Sequence, residues 1–282
     1  MRVYLNGEFV DISQARVPID DRGFLFGDAV YEVIHLYGDH LFAWDLHIER
    51  LKFGLQALEF PPVDLDALRQ AAEVLKQDRD YEEGSLYIQI SRGVYPRSHV
   101  FPPEGTKPTV VMWIRPVDPV PAELLAEGVR VVTVPDDRWS KVWIKTVGLL
   151  PNVLAKEKAR RMGAYEAIFV RDGVVTEASS ANVFMVRRGV IRTAPETNYI
   201  LPGITREVTL QIARELDLPV ELKPFLPEEM YQADEAFLTG TNIGILPITT
   251  VDGHYLGKPG PVTQRLLQAF MAKTKEVSSR LG

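Results

Sequence analysis

The chain contains no cysteine, which excludes disulfides, thiolate catalysis and cysteine-ligated metals. It has no large excess of either charge. The 32 Lys and Arg against 38 Asp and Glu leave a formal −6 spread over 282 residues, with no basic stripe for nucleic acid and no polybasic patch for a membrane. No apolar run reaches the length of a membrane span, and the N-terminus turns at Asn6-Gly7 before any core of signal-peptide length, so a cytoplasmic protein is expected. Low-complexity tracts and internal repeats are also missing. His35 and His40 lack the spacing of a zinc pair, and His254 stands beside an Asp252-Gly253 turn without a carboxylate cluster, so no metal is expected. What is present is a globular composition, 46% hydrophobic and 25% charged, in a chain long enough for two domains or one large one.

The first nine residues read as a hairpin around Asn6-Gly7, the dipeptide that two-residue primed turns prefer. Leu51, Leu55 and Leu58 make a helical stripe after Asp45, a candidate N-cap, and Leu65, Leu68, Ala72 and Leu75 make a second after Asp64. Strand-like runs cover Ala29–Tyr37, Ser85–Arg92 and Thr109–Ile114, so this half reads as α+β. Pro116, Pro119 and Pro121 suit neither a helix nor a central strand. We therefore read residues 1–115 as an N-terminal domain, 116–122 as a linker and 123–282 as a C-terminal domain. In the latter, strands are expected at Val129–Val134 and Trp139–Lys145, then a helix from Asn152 to Met162. A meander of Glu166–Val170, Val174–Glu177, Ala181–Val186 and Val190–Thr193 follows. A helix opening at Pro202-Gly203-Ile204-Thr205 carries Ile204, Val208, Ile212 and Leu216, and Leu218-Pro219 ends it.

Within that pattern Lys145 is the chemical anomaly, a lone ammonium in the apolar run Val142–Val147. On the inward side of a strand it would be costly unless used, and a desolvated lysine is an amine nucleophile, suited to a Schiff base with a carbonyl substrate or with pyridoxal phosphate. On the outward side of an edge strand it would be an ordinary surface lysine. Gly203-Ile204-Thr205-Arg206 sets a hydroxyl at a helix N-terminus, where free N–H groups make a phosphate cup or a plain cap. Thr239-Gly240-Thr241-Asn242 is a second such turn, and neither is a Walker loop or a dinucleotide fingerprint, which favours a phosphate monoester over a nucleotide. Glu177 precedes the small residues Ala178-Ser179-Ser180-Ala181, which leave room for a planar ligand. There it would keep a pyridine nitrogen protonated, or stand on the surface at a strand end. Arg97 and His99, two apart in an extended loop, project to one side as donors for a carboxylate, or are solvated.

Taken in order, Asp21-Arg-Gly-Phe-Leu-Phe-Gly-Asp28 with Tyr31-Glu32, His47-Ile-Glu-Arg50-Leu, Lys145 followed by Asn152-Val-Leu-Ala-Lys, Thr176-Glu177-Ala-Ser-Ser and Leu201-Pro-Gly-Ile-Thr205-Arg resemble the fold type IV pyridoxal phosphate enzymes. These include D-amino-acid transaminases, branched-chain transaminases and aminodeoxychorismate lyases. The Pro96-Arg97-Ser98-His99-Val-Phe-Pro loop is similar to that of the D-amino-acid transaminases. The resemblance implies a two-domain α+β fold, with a smaller N-terminal domain, a larger strand-rich pseudobarrel and pyridoxal 5′-phosphate between them. It implies that Lys145 forms the internal aldimine and shuttles the proton, and that Glu177 pairs with the pyridine nitrogen. Arg50, Ile204, Thr205 and Thr241 would hold the phosphate, and Ser180 and Leu201 would line the cofactor. Tyr31, Arg97 and His99 would hold the substrate carboxylate, the last two serving the partner's site in a homodimer. Ala181 and Gly240 depart from the family pattern, which commonly has hydroxyls there. The implied reaction is D-alanine with 2-oxoglutarate; branched-chain L-amino-acid transamination is the runner-up and the lyase comes next, although an Arg97–His99 pair suits a small amino acid better.

Overall fold

Asn6 and Gly7 both have positive φ, 53° and 100°, the geometry of a primed turn, and they close the expected hairpin between β1 (Arg2–Leu5) and β2 (Glu8–Asp11). The computed structural model describes residues 1–279, with side chains as far as Lys275. Its described residues form two units. The first comprises Met1–Asp118 together with Ile144–Gly148, and the second comprises Pro119–Trp143 and residues 149–279. The stretch carrying Lys145, which lies beyond the prolines in sequence, thus belongs to the first unit.

After the hairpin the first unit runs α1 (Arg22–Phe26), β3 (Ala29–Tyr37), β4 (His40–Leu41), α2 (Trp44–Ala57), α3 (Leu65–Gln77), β5 (Glu83–Ser91) and β6 (Thr109–Pro116). Its strands form one antiparallel sheet in the order β2-β1-β6-β5-β3-β4. The alternation of side chains puts Val30, Glu32, Ile34 and Leu36 of β3, Leu86, Ile88 and Ile90 of β5, and Met112 and Ile114 of β6 in the buried set. Leu51 and Leu55 of α2 and Leu68, Ala72 and Leu75 of α3 are buried as their stripes require. Each such Leu or Ile contributes roughly 1.5–3 kcal/mol on leaving water. Asp64 caps α3, accepting from the Ala67 N–H at 3.0 Å. Asp45 is not the cap of α2. That position is Ala43, at φ 53°, and Asp45 lies in the first turn, where its charge meets the helix dipole.

Lys145 lies in no strand of its own. The expected strand Trp139–Lys145 does not form, because its backbone groups find partners elsewhere: Val142 donates to the Asn198 carbonyl at 2.9 Å, and Thr146 turns back onto Ile144 at 2.9 Å. Residues 144–148 instead edge the start of β3. Tyr31 donates to the Lys145 carbonyl at 3.0 Å, Val147 donates to Ala29 at 3.2 Å, and Val30 bridges Thr146. The edge is open there because β4 pairs only with Leu36 and Tyr37.

The second unit runs α4 (Ala122–Glu127), β7 (Val129–Pro135), α5 (Leu150–Arg161), β8 (Glu166–Arg171), β9 (Val174–Ala178), β10 (Asn182–Arg187), β11 (Val190–Thr193), α6 (Ile204–Glu215), β12 (Val220–Leu222), α7 (Pro227–Tyr231), β13 (Glu235–Gly240), β14 (Gly244–Val251), β15 (His254–Tyr255) and α8 (Pro261–Ser279). Pro116 ends β6, and Pro121 precedes α4. A nine-stranded mixed sheet has the order β12-β11-β10-β13-β14-β7-β8-β9, with β15 on β14. The meander strands form as expected to within a residue, and α5 starts at Leu150 rather than Asn152. One core joins Val131, Ile168, Val183, Met185, Leu238, Leu246 and Ile248; Ala155 and Ala159 of α5 pack with Val132, Val134 and Phe169 in another. Together these are an α+β fold. Among the described residues no helix is long and apolar enough to cross a membrane.

Candidate active site

In the first unit, Lys145 is half-buried, and its Nζ lies 4.2 Å from the centre of the Tyr31 ring. Tyr31 is itself stacked on Tyr87 with centroids 5.7 Å apart. One residue along β3, Glu32 points the opposite way and is fully buried. Arg50 of α2 grips it through Nε to Oε1 at 2.7 Å and Nη2 to Oε2 at 2.8 Å, and His47 Nδ1 meets Oε2 at 2.7 Å. Burial by itself would raise the Glu32 carboxyl, but the charge of Arg50 and the bonds from Arg50 and His47 outweigh it and hold the group at about 2. Burial lowers His47, so the neutral ring donates from Nδ1 to the carboxylate. The expected phosphate ligand Arg50 is therefore oriented by a buried carboxylate. Sequence reasoning names Glu32 and His47 only as parts of motifs. The missed signal is the one that singles out Lys145, a charge at an inward position of an apolar strand.

Arg97 and His99 are both exposed, and they meet at one ring: the Arg97 guanidinium lies 5.2 Å from the centre of Phe26, and the His99 ring lies 5.5 Å away. The two residues read as a pair are thus neighbours through Phe26 of α1.

In the second unit, Glu177 is 5% exposed at the end of β9 and makes three contacts. Arg138 Nη1 donates to Oε1 at 2.6 Å, while Asn182 Nδ2 and the Leu201 N–H donate to Oε2 at 3.0 Å each. Burial pushes the carboxyl up to about 7, because the opposing charge of Arg138 is shared with Asp136. Asp136 goes the other way: burial opposes ionisation, but bonds from Arg138 and Arg171 hold it low. Sequence reasoning anticipates neither Asp136 nor Arg138, since the segment after β7 carries no pattern that marks a ligand-bearing turn.

Asn182 also donates to the Leu201 carbonyl at 3.0 Å and lies against Gly203, where an added Cβ would fall 2.0 Å from its Oδ1. Gly203 is the N-cap of α6 and supplies no side-chain cap, so the opening N–H groups of Ile204 and Thr205, both buried, keep their donors for an anion. Thr241 is half-buried in the turn between β13 and β14, and the neighbouring Thr239 Oγ1 is buried with no partner among the described residues. Ser180 is exposed and donates to Glu166 at 2.8 Å, and Ser179 donates to the same carboxylate. Lys156 neutralises it at 3.0 Å, and Asn152 donates to the Ser179 carbonyl at 2.8 Å, so Glu166 and Asn152 together tie the Ser179-Ser180 turn. Glu166, buried at the start of β8, is another residue that sequence reasoning passes over.

These residues fit pyridoxal phosphate. A carboxylate has about four acceptor positions. Glu177 uses three, and its raised titration marks a site short of positive charge, which a protonated pyridine nitrogen supplies. The uncapped start of α6 suits a phosphate in the same unit.

Comparison with known proteins gives a consistent result. The amino-transferase class IV family model matches residues 29–251. The chain is 40% identical over 277 residues to the D-alanine aminotransferase of Bacillus licheniformis, with 96% of each covered, and 38% identical over 282 residues to that of Staphylococcus haemolyticus, with 99% of each covered. Among solved structures, the branched-chain amino acid aminotransferase of Escherichia coli superposes with a TM-score of 0.91 at 29% identity, covering 100% of this chain and 97% of that one. The branched-chain enzyme of Thermobaculum terrenum in its pyridoxal phosphate form gives 0.83 at 26% identity, covering 98% and 94%.

Proposed function

The chain belongs to the class IV amino-transferases, and from that membership we propose that it transaminates D-amino acids with pyridoxal 5′-phosphate, D-alanine and 2-oxoglutarate giving pyruvate and D-glutamate. The observation that carries the substrate is the 40% identity, along 96% of the chain, to a D-alanine aminotransferase. The paired Arg97 and His99, donors for a small amino acid's carboxylate, support it.

When bound, the cofactor supplies an aldehyde that condenses with an amine and a ring that takes up the electrons released at the substrate's Cα. The chain's own residues supply the rest. Lys145 Nζ removes the proton from the substrate's Cα and returns one, a single base serving both directions. Glu177, held by Arg138, Asn182 and the Leu201 N–H, keeps a proton at the ring nitrogen. The phosphate is assigned to the Ile204 and Thr205 N–H groups, Thr241 and Arg50, the last kept in orientation by Glu32. Ser180 and Leu201 line the ring, and Tyr31, Arg97 and His99 take the α-carboxylate. The proposal includes action in the cytoplasm and pairing of two copies, with Arg97 and His99 serving the partner's substrate; the purified protein should then sediment at twice 31.8 kDa, and a monomer active at all dilutions would defeat that pairing.

Transamination of branched-chain L-amino acids is the second reading, favoured by the solved structures of that activity. Absorbance spectra of the cofactor-loaded protein separate the two. Conversion to the pyridoxamine form by D-alanine, and not by L-leucine, is expected; the reverse response would move the protein to the branched-chain activity.

A further inference from the structure

The loop carrying Arg97 and His99 has little internal structure. Pro96, Pro102 and Pro103 lack N–H groups, and Val100 N–H to Ser98 Oγ at 3.3 Å is a bond within the loop itself. The loop is held instead by the segment around α1. Arg22, whose side chain is 4% exposed, donates from Nη1 to the Ser98 carbonyl at 2.6 Å and to the Val100 carbonyl at 3.2 Å, the two residues that flank His99. Its Nε donates to Asp28 Oδ2 at 2.8 Å, and Arg92 Nε reaches the same oxygen at the same distance. Arg92 continues to the Leu58 and Glu59 carbonyls, and its guanidinium lies 3.8 Å from the centre of Phe101, two residues past His99.

The helix that presents Arg22 is itself anchored. Asp21 caps it through the Gly23 N–H at 2.8 Å and accepts from Ser91 Oγ at 2.8 Å, and Arg22 donates its N–H to the Gly93 carbonyl at 2.9 Å. Gly27 ends it at φ 67°, in the left-handed region. Phe26 is left in a position that touches Arg22 at 4.9 Å as well as Arg97 and His99. Packing a guanidinium and an imidazole on one ring removes rotamer freedom before an anion arrives, so less is lost on binding.

We propose that Arg22, Phe26 and Asp28 are positioning residues for the substrate's α-carboxylate: through the Ser98 and Val100 carbonyls and the Phe26 ring they hold Arg97 and His99 as a preset donor pair. This rests on Arg97 and His99 being the carboxylate donors, and it gives the Asp21–Asp28 motif a task in substrate binding.

The test is the D-alanine half-reaction of the holoenzyme, followed by absorbance, with apparent dissociation constant and limiting rate resolved separately. Phe26→Leu keeps every hydrogen bond and ion pair above, and it should weaken D-alanine binding about tenfold while changing the limiting rate much less. Phe26→Tyr keeps the ring and should bind as the parent does. In an Arg97→Ala background, Phe26→Leu should cost clearly less, because only His99 is left for the ring to position. Arg22→Met should resemble Phe26→Leu if it folds. The inference is overturned if Phe26→Leu leaves D-alanine binding unchanged, or weakens it equally with and without Arg97. Unchanged binding in Arg97→Ala alone would remove the underlying reading of the loop and the inference with it.

Discussion

Lys145 differs from the other lysines by what surrounds it rather than by complete burial. Its carbonyl accepts from Tyr31, and its ammonium faces the Tyr31 ring at 4.2 Å while the side chain stays half-open. That suits a group that must exchange partners. Lys145→Ala should lower the single-turnover rate with D-alanine by about 10³-fold or more while the protein still takes up cofactor. A variant that retained most of its rate would remove Lys145 as the base. Glu177 shows the opposite design, a carboxylate whose position is set by Arg138, Asn182 and a backbone donor.

The start of α6 carries the phosphate assignment, and its construction depends on one glycine. Gly203 has an ordinary extended conformation, φ −70°, so it is there for space rather than for a left-handed turn. Its missing Cβ admits Asn182, which joins the Glu177 carboxylate to the Leu201 carbonyl just ahead of the helix. Gly203→Ala forces the two apart, and overpacking of this kind typically costs about 1–3 kcal/mol. The expected outcome is cofactor affinity weakened about tenfold or more in a titration of the apoprotein with pyridoxal phosphate. Unaltered affinity would mean that the helix start does not hold the phosphate.

Two buried glutamates give the protein opposing pH dependences. Glu32 has a folded value of about 2 against an ordinary 4.5, so its contribution is complete above 4.5 and is lost as pH falls toward 2. Glu177 has a folded value of about 7 against 4.5, so its contribution is complete below 4.5 and is lost as pH rises through 7. Each pH unit between the folded and ordinary values is worth about 1.4 kcal/mol, and Asp136, also held low, adds to the acid arm. Denaturant unfolding of the apoprotein from pH 3 to 8 should show both arms, and Glu177→Gln should flatten the alkaline one. Bound cofactor should flatten it too, since a ring cation compensates the ionised carboxylate. An alkaline arm that persists in Glu177→Gln would assign it to another group.

The sequence by itself determined many of the elements, though it also suggested a strand at Trp139–Lys145 that does not form. Alternation in β3 and β5, the α3 stripe behind Asp64 and the Asn6-Gly7 turn are local patterns, set by side-chain periodicity and backbone preference. Five separated motifs likewise marked the family without any geometry. Only tertiary structure decided that Lys145 edges β3 in the first unit, since an apolar run cannot announce which neighbour will satisfy its backbone. The same holds for Arg138 on Glu177, Glu32 on Arg50 and Arg22 on the Ser98 carbonyl. Each joins residues far apart in the chain, and such a pairing leaves no periodic trace: it arises because a buried charge is stable only where folding has brought it a partner.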